Sequence, residues 1–362
     1  MNSFQNVFEI EAIKGKDLSK RSIMVFGAGV NGQWTLNQLK KKQCNVLGVL
    51  DDKYHGCLNG LSVCKTSDVK TICNDLSEVM LIVSFFVENE DRFEKIKDKF
   101  EELGFSRENI FYFIEVLMDD YFDKKLIYKE KEDIVAAYNL LEDDTSKEVF
   151  YQFIKSVCSS DASEFKNPVR ETQYFDKTVP LKKSNGYFVD CGAYRGDTYE
   201  SFKQQKTEMK YIGIEPDMNN FNLLAEEIEK CGGCEILFPC AVSDKNLMVS
   251  FSDSGDKSDS PGSSICESGN ATVPSIKLDT VVGGLPIAYI KMDVEGAENS
   301  AIQGAKGIIQ EQNPMLAICT YHNTEDVWQL INLIHSYNKK YKFYLRSYYL
   351  YSRETVLYAI PE

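Results

Sequence analysis

The chain has 362 residues, of which 43% are hydrophobic and 27% charged, with 41 Lys and Arg against 55 Asp and Glu for a net charge of -14. That composition excludes a largely disordered chain, a collagen-like rod and a coiled coil, and the length corresponds to roughly two to three domains. So acidic a chain repels a phosphate backbone, so no nucleic-acid partner is expected.

The N-terminal stretch MNSFQNVFEIEAIKGKD lacks a basic start followed by an apolar core, so no secretory leader is expected. The longest apolar run, about nine residues from Val79 to Val87, falls well short of a membrane span. Eleven cysteines without a leader point to free thiols and a cytoplasmic location. Cys231 and Cys234 form a C-x-x-C with no second pair for zinc, which reads as a Gly-rich turn.

In chain order, strand Ile23–Phe26 leads through Gly27, Gly29 and Gly32 into helix Gln33–Lys42, and strand Val46–Leu50 ends at Asp51. Strand Val79–Phe85, a charged helix over Asp91–Leu103 and strand Asn109–Val116 complete a small sheet, giving a first domain over 1–118. Dense charge over 119–180 predicts a helical connector. Strands Tyr187–Cys191 and Tyr211–Glu215, helix Asn219–Lys230, strand Ile236–Val242, strand Ala288–Met292, helix Ala297–Gln310 and strand Met315–Thr320 then alternate as parallel α/β units do. Helix Glu325–Tyr337 carries Val327, Leu330, Ile331 and Ile334 at buried-stripe spacing. Lys342–Tyr349 and Thr355–Ile360 are expected to pair as a hairpin. Ser252–Pro274 is polar and without period, which reads as a substrate loop or a disordered one.

Two glycine turns carry chemistry. The first, Gly27-Ala-Gly29-Val-Asn-Gly32, is a complete G-x-G-x-x-G with Asp51 about 19 residues on, which reads directly as NAD binding. The second runs Asp190-Cys-Gly192-Ala193-Tyr194-Arg-Gly196-Asp-Thr198, one glycine short of that fingerprint, with Glu215 about 19 residues beyond Gly196. A carboxylate there accepts from two ribose hydroxyls, and Asp190 offers an acceptor for an ammonium group. A ligand with ribose and amino-acid tail but no phosphate is S-adenosylmethionine.

FVDCGAYRGDT, IGIEPD, PCAVSD, GSSI, VPSIKLDTV, IKMDVEGAENSAIQGA, the pair Tyr321-His322, FYLRSYY and ETVLYAIP follow in order from about Tyr174 to the end. This half of the chain resembles the FkbM family of S-adenosylmethionine-dependent methyltransferases. One departure stands at Arg346-Ser347-Tyr348, where a His is expected after the Arg. The resemblance implies a class I methyltransferase sheet over 181–362, Rossmann-like and ending in an antiparallel strand pair. It also implies O-methylation of a hydroxyl, on a sugar in a polysaccharide or glycolipid precursor. Carried onto this sequence, Asp190, Gly192, Ala193, Tyr194, Gly196, Thr198, Glu215, Pro216, Asp244 and Asp293 bind the cofactor. His322, Asp293 and Glu295 are the catalytic candidates, His322 as a base that is neutral near pH 7. The same three could hold a divalent metal, but their spacing fixes no ligand geometry, so no metal is expected. VFGAGVNG, LGVLDD and Asn59–Val63 resemble the small Rossmann-like domain of bacterial sugar acyltransferases, implying a nucleotide-sugar ligand at Gly27, Gly29, Gly32 and Asp51. The alternatives are an NAD-dependent oxidoreductase working at that first turn and a non-catalytic nucleotide-binding scaffold. The partner expected is a glycan or other small molecule, with oligomerisation open.

Overall fold

In the computed structural model, residues 2–13, 16–165, 171–182, 184–233, 235–252, 264–265 and 271–362 are described. The chain forms two compact units. One comprises Met1–Lys129, Tyr151–Pro168 and Tyr349–Arg353, the other Glu130–Phe150, Val169–Tyr348 and Glu354–Glu362. The stretch 119–180 is thus divided between the two, and it is helical through Ser159.

The first unit holds strands β1 (Ser22–Phe26), β2 (Asn45–Leu50), β3 (Gly56–Leu58), β4 (Leu61–Cys64), β5 (Met80–Val83) and β6 (Ile110–Tyr112). They lie in the order β3-β4-β2-β1-β5-β6, parallel except for the β3–β4 hairpin. That hairpin, absent from the sequence reading, turns on Asn59 and Gly60, both at positive φ, as a tight two-residue connection requires. The helix after β1 covers Val30–Lys41, three residues earlier than expected. At Gly32 a Cβ would stand 2.0 Å from the Gly27 carbonyl oxygen, so the third glycine is what lets this helix close on the turn. Helix Glu90–Leu103 is capped by the Asn89 side chain and ends at Gly104 in the left-handed region.

The expected strand Asn109–Val116 is corrected. Only Ile110–Tyr112 is strand, and Phe113–Tyr121 is helix. Phe113, Ile114, Leu117 and Met118 recur at helical spacing and are buried, and Glu115 accepts the Tyr112 N–H, which starts the helix.

The second unit holds β7 (Tyr187–Cys191), β8 (Lys210–Ile214), β9 (Ile236–Phe238), β10 (Ala241–Val242), β11 (Leu247–Ser252), β12 (Ser264–Ile265), β13 (Ala271–Ile276), β14 (Ile287–Met292), β15 (Met315–Cys319), β16 (Tyr341–Ser347) and β17 (Thr355–Pro361). Its main sheet has the order β16-β17-β15-β14-β7-β8-β9. β14, β15, β7, β8 and β9 run parallel, and β17 is antiparallel to both its neighbours. This is the terminal antiparallel pair that the sequence led us to expect. The chain leaves β7 toward β8 on one side and returns to β14 on the other, so the strand order reverses between them. In open α/β sheets that reversal places a crevice at the carboxyl ends of the two strands. Phe188, Tyr199, Phe202, Tyr211 and Tyr289 pack beneath it as a buried aromatic cluster.

Three expectations change in this unit. Ile236–Val242 is two strands in different sheets, because Pro239 has no N–H to continue a ladder. Ala297–Gln310 is two helices, Glu298–Gly304 and Lys306–Glu311. Gly304 lies against Ser243, where a Cβ would be 2.0 Å from the carbonyl oxygen, and Ala305 leaves helical geometry there. The ends of Ser252–Pro274 belong to a small sheet, β10-β13-β11-β12, in which β11 and β13 pair antiparallel from Leu247↔Ser275 to Phe251↔Ala271. Residues 253–263 and 266–270 of that loop lie outside the described residues, as does Cys234 of the C-x-x-C. Among the described residues no helix is long and apolar enough to cross a membrane.

Candidate active site

The register of the central strands sets Lys291 beside Asp190. Both are buried, at 2% and 0% exposure. Lys291 Nζ lies 3.0 Å from Asp190 Oδ1 and donates to the Gly192 carbonyl at 2.6 Å. Tyr211 donates its hydroxyl to Asp190 Oδ2 at 2.6 Å. Burial pushes the Asp190 carboxyl up, opposed by the charge of Lys291. Asp190 was read as an acceptor for a ligand's ammonium group. It does accept an ammonium, but the one in place belongs to Lys291.

Beyond Asp190 the chain turns through Gly192, Tyr194 and Gly196, all at positive φ. At Gly192 a Cβ would stand 1.9 Å from the Asp293 carbonyl oxygen, so no side chain fits there. Ala193 is buried, and its N–H donates to the Ile214 carbonyl. Tyr194 N–H donates to Glu215 Oε2 at 2.9 Å and Asp217 N–H to Oε1 at 2.8 Å. Gly196 caps the helix Asp197–Gln204, with Thr198 buried in its first turn. Pro216 is half-buried beside Glu215. Glu215 is 5% exposed, and burial pushes its carboxyl up to about 7. Asp244 is bonded elsewhere, to the Ser300 hydroxyl at 3.1 Å.

Asp293 follows β14, and its N–H bonds the Cys191 carbonyl at the end of β7. Its carboxylate accepts from Tyr174 at 3.0 Å and Tyr321 at 3.1 Å. Glu295 and Gly296 both adopt positive φ, which turns the chain into the helix that opens with Glu298. Glu298 is fully buried and accepts the Val294 N–H through Oε1 at 2.9 Å. His322, three residues past β15, has a side chain 9% exposed. Its Nδ1 lies 2.9 Å from Glu298 Oε1, and its Nε2 lies 3.5 Å from Glu295 Oε2 and 3.6 Å from Asp293 Oδ1. The three catalytic candidates from the sequence therefore meet, and Glu298 joins them.

The protonation expected of His322 is corrected. Burial opposes the charged imidazolium, but Glu298, Glu295 and Asp293 together outweigh it and lift the imidazole to about 10. The field of the three carboxylates therefore favours the charged ring over the neutral base expected. Asp293 moves the other way. Burial pushes it up, and the charges of Lys291 and His322 more than reverse that. Asp326 stands behind the cluster with its carboxyl pushed up to about 7 by burial and by Glu298.

Four residues of the candidate site are not singled out by the sequence: Lys291, Tyr211, Tyr174 and Glu298. Lys291 had a signal, a lone cation inside the apolar run Ile287–Met292. Tyr174 had none, since its hydroxyl reaches Asp293 from a segment 119 residues away. At the position where a His was expected, Ser347 pairs with Thr355 inside the β16–β17 ladder. Arg346 before it is 1% exposed and bonded to Asp143, Ser146 and Thr178.

In the first unit Asp51 does hold the glycine turn. Its carboxylate accepts from Ala28 N–H at 2.8 Å, Lys53 N–H at 2.8 Å and Tyr54 N–H at 3.0 Å. A carboxylate has about four acceptor sites. Asp51 has three of them engaged, whereas Glu215 has two.

The sheet order, the glycine turn at the strand-order reversal and the acidic residue on the next strand define the class I methyltransferase fold. Residues 190–344 match the family model described as Methyltransferase FkbM domain. The crystal structure of methyltransferase FkbM from Methylobacillus flagellatus KT is similar over 99% of this chain and 93% of its own, with a TM-score of 0.68 at 20% identity. Two other solved structures match loosely, each with a TM-score of 0.30. Aeropyrum pernix fibrillarin with bound S-adenosyl-L-methionine is 10% identical, over 50% of this chain and 69% of its own. An SAH-bound methyltransferase from Podospora anserina is 9% identical, over 66% and 94%. At that score neither carries weight. No curated protein matches the chain.

Two outcomes follow from this geometry. Lys291→Met strands a fully buried carboxylate and lowers unfolding stability by about 3–5 kcal/mol. Adding Asp190→Asn recovers part of it, and denaturant titration of the double-mutant cycle measures the coupling. Glu215, raised to about 7 in the fold from 4.5, keeps a proton that the unfolded chain releases earlier. Its contribution to stability therefore falls as pH rises from about 4.5 to about 7 and is flat above, by at most about 3 kcal/mol. Urea unfolding at pH 5 and pH 8 should show that slope in the wild type and its loss in Glu215→Gln.

Proposed function

We propose that the second unit is an S-adenosylmethionine-dependent O-methyltransferase acting on a hydroxyl of a sugar, in a precursor of a polysaccharide or glycolipid. The observation that carries this reading is the pairing of two features across the ends of β7 and β14. One is a glycine turn with a nine-tenths-buried Glu215 holding two acceptor sites. The other is an imidazole ringed by carboxylates a few residues away in the sheet.

The residues fit the cofactor. Glu215 has acceptors for a ribose hydroxyl pair, and the turn Gly192–Gly196 presents backbone without bulk. When bound, the cofactor supplies a methyl group on a sulfonium. That methyl would pass to the acceptor oxygen as sulfur keeps the electron pair, and the protein side would take the hydroxyl proton. The chain's tasks are to orient the acceptor oxygen and to carry that proton away. Orientation supplies much of the rate in such a displacement. Tyr174 and Tyr321 hold Asp293, and Glu298 holds His322, so the groups facing the acceptor are fixed before it arrives. The sugar acceptor is the part of this reading carried by family resemblance. The first unit stays outside it, because Asp51 is largely engaged by its own turn.

Calorimetric titration with S-adenosylhomocysteine should give saturable one-to-one binding, with NAD in parallel giving none. Binding of NAD alone would move the chemistry to Gly27–Gly32 and end the methyltransferase reading at this site. With labelled methyl donor and a panel of nucleotide-linked sugars, His322→Ala, which removes a charge that keeps Asp293 ionised to take the proton, should lower turnover by roughly 10²–10⁴-fold while S-adenosylhomocysteine affinity stays within a few-fold. Unchanged turnover removes His322 from the chemistry.

A further inference from the structure

The cluster at the ends of β14 and β15 carries more negative charge than its one imidazole balances. Asp293, Glu295 and Glu298 surround His322, while Lys291 is already committed to Asp190 and Gly192. Three buried atoms there make no geometrically good hydrogen bond: Glu298 Oε2, on a fully buried side chain, and both ring nitrogens of His322, on a side chain 9% exposed, of which Nδ1 faces Glu298 and Nε2 faces the other two carboxylates. Unmet polar atoms of this kind are costly in an interior. Nε2 is aimed between Glu295 Oε2 and Asp293 Oδ1 at 3.5 and 3.6 Å. Those separations are too long for good hydrogen bonds. They match the spacing of ligands around a metal, since four donors at about 2.1 Å from a tetrahedral cation stand about 3.4 Å apart. One donor atom from each of Asp293, Glu298 and His322 also lies within 4.8 Å of the others.

We infer that this cluster is a divalent-cation site, with His322 Nε2, Asp293 and Glu295 as ligands and Glu298 as the positioning residue behind the ring. Glu298 Oε1 faces Nδ1 at 2.9 Å, which fixes the tautomer that leaves Nε2 free for a metal, as carboxylate–histidine–metal arrangements do. One imidazole with carboxylates suits Mn²⁺ or Zn²⁺ better than Ca²⁺. Glu295 and Gly296 at positive φ are the backbone feature that brings the second carboxylate round to the ring. The spacing that looked uninformative along the chain (293, 295 and 322) becomes a ligand set only when β14 and β15 lie side by side. The site's role in activating the acceptor hydroxyl rests on the methyltransferase reading above. The binding of the cation does not.

The test uses the full chain, stripped with chelator and titrated with Mn²⁺ while free Mn²⁺ is followed by electron paramagnetic resonance. One Mn²⁺ per chain should bind, with ¹⁴N modulation from a directly bound imidazole in the pulsed spectrum, and Zn²⁺ should displace it. Glu298→Gln should weaken binding by roughly 10–100-fold, and His322→Gln should abolish the nitrogen modulation. The wild-type spectrum decides even where a variant fails to fold. Absence of saturable Mn²⁺ and Zn²⁺ binding, or Mn²⁺ bound without ¹⁴N modulation, overturns the inference. S-adenosylhomocysteine titrated into the same samples separates the two readings. Its binding without any cation removes the metal site and leaves the transferase, and cation binding without it does the reverse.

Discussion

Lys291 and Asp190 form an ion pair at the centre of the second unit's sheet, and the site is arranged around it. Both side chains are buried, and neither is tolerable there without the other. The pair does three things at once. It ties β14 to β7, it pins the Gly192 carbonyl and hence the glycine turn, and it satisfies an acid that would otherwise stand bare at the mouth of the crevice. Tyr211 completes the arrangement from β8. Because the pair fills its own charge balance, the acids beside it that are not neutralised in this way are Glu215 on one side and Asp293 on the other.

The two sides are built differently. Glu215 sits among backbone N–H donors, and burial outweighs them and the more distant charge of Lys291, so its carboxyl rises. Asp293 sits near two cations and falls. The two strand ends thus carry one acid that protonates easily and one that stays ionised. His322 shows the same field from the opposite sign, since three carboxylates raise it well past neutrality.

The two units share a device. In each, the acid ending the second strand reaches back to a backbone N–H in the glycine turn after the first, Asp51 to Ala28 and Glu215 to Tyr194. The turn is held in place by the residue that the motif reserves for a ribose. What distinguishes the units is how much acceptor capacity remains, and that depends on the neighbouring loop. Lys53 and Tyr54 fold back on Asp51 in the first unit, whereas only Asp217 does so on Glu215.

The sequence by itself determined the parallel strands, the position of both glycine turns, Glu215 and the trio Asp293, Glu295 and His322. These are local matters, since apolar runs, obligatory glycines and acids at strand ends are legible within a few residues. It misread Asn109–Val116 and Ile236–Val242, where apolar content alone does not separate helix from strand and a single proline divides one strand into two sheets. It also missed the β11–β13 pairing, whose partners stand across a long polar stretch. Only the tertiary structure decided that Lys291 neutralises Asp190, that Tyr174 holds Asp293, that Glu298 stands behind His322 and that the field at the imidazole favours its charged form. Each of these depends on a distance between strands that are far apart along the chain, and on the loss of water around charges once those strands close together.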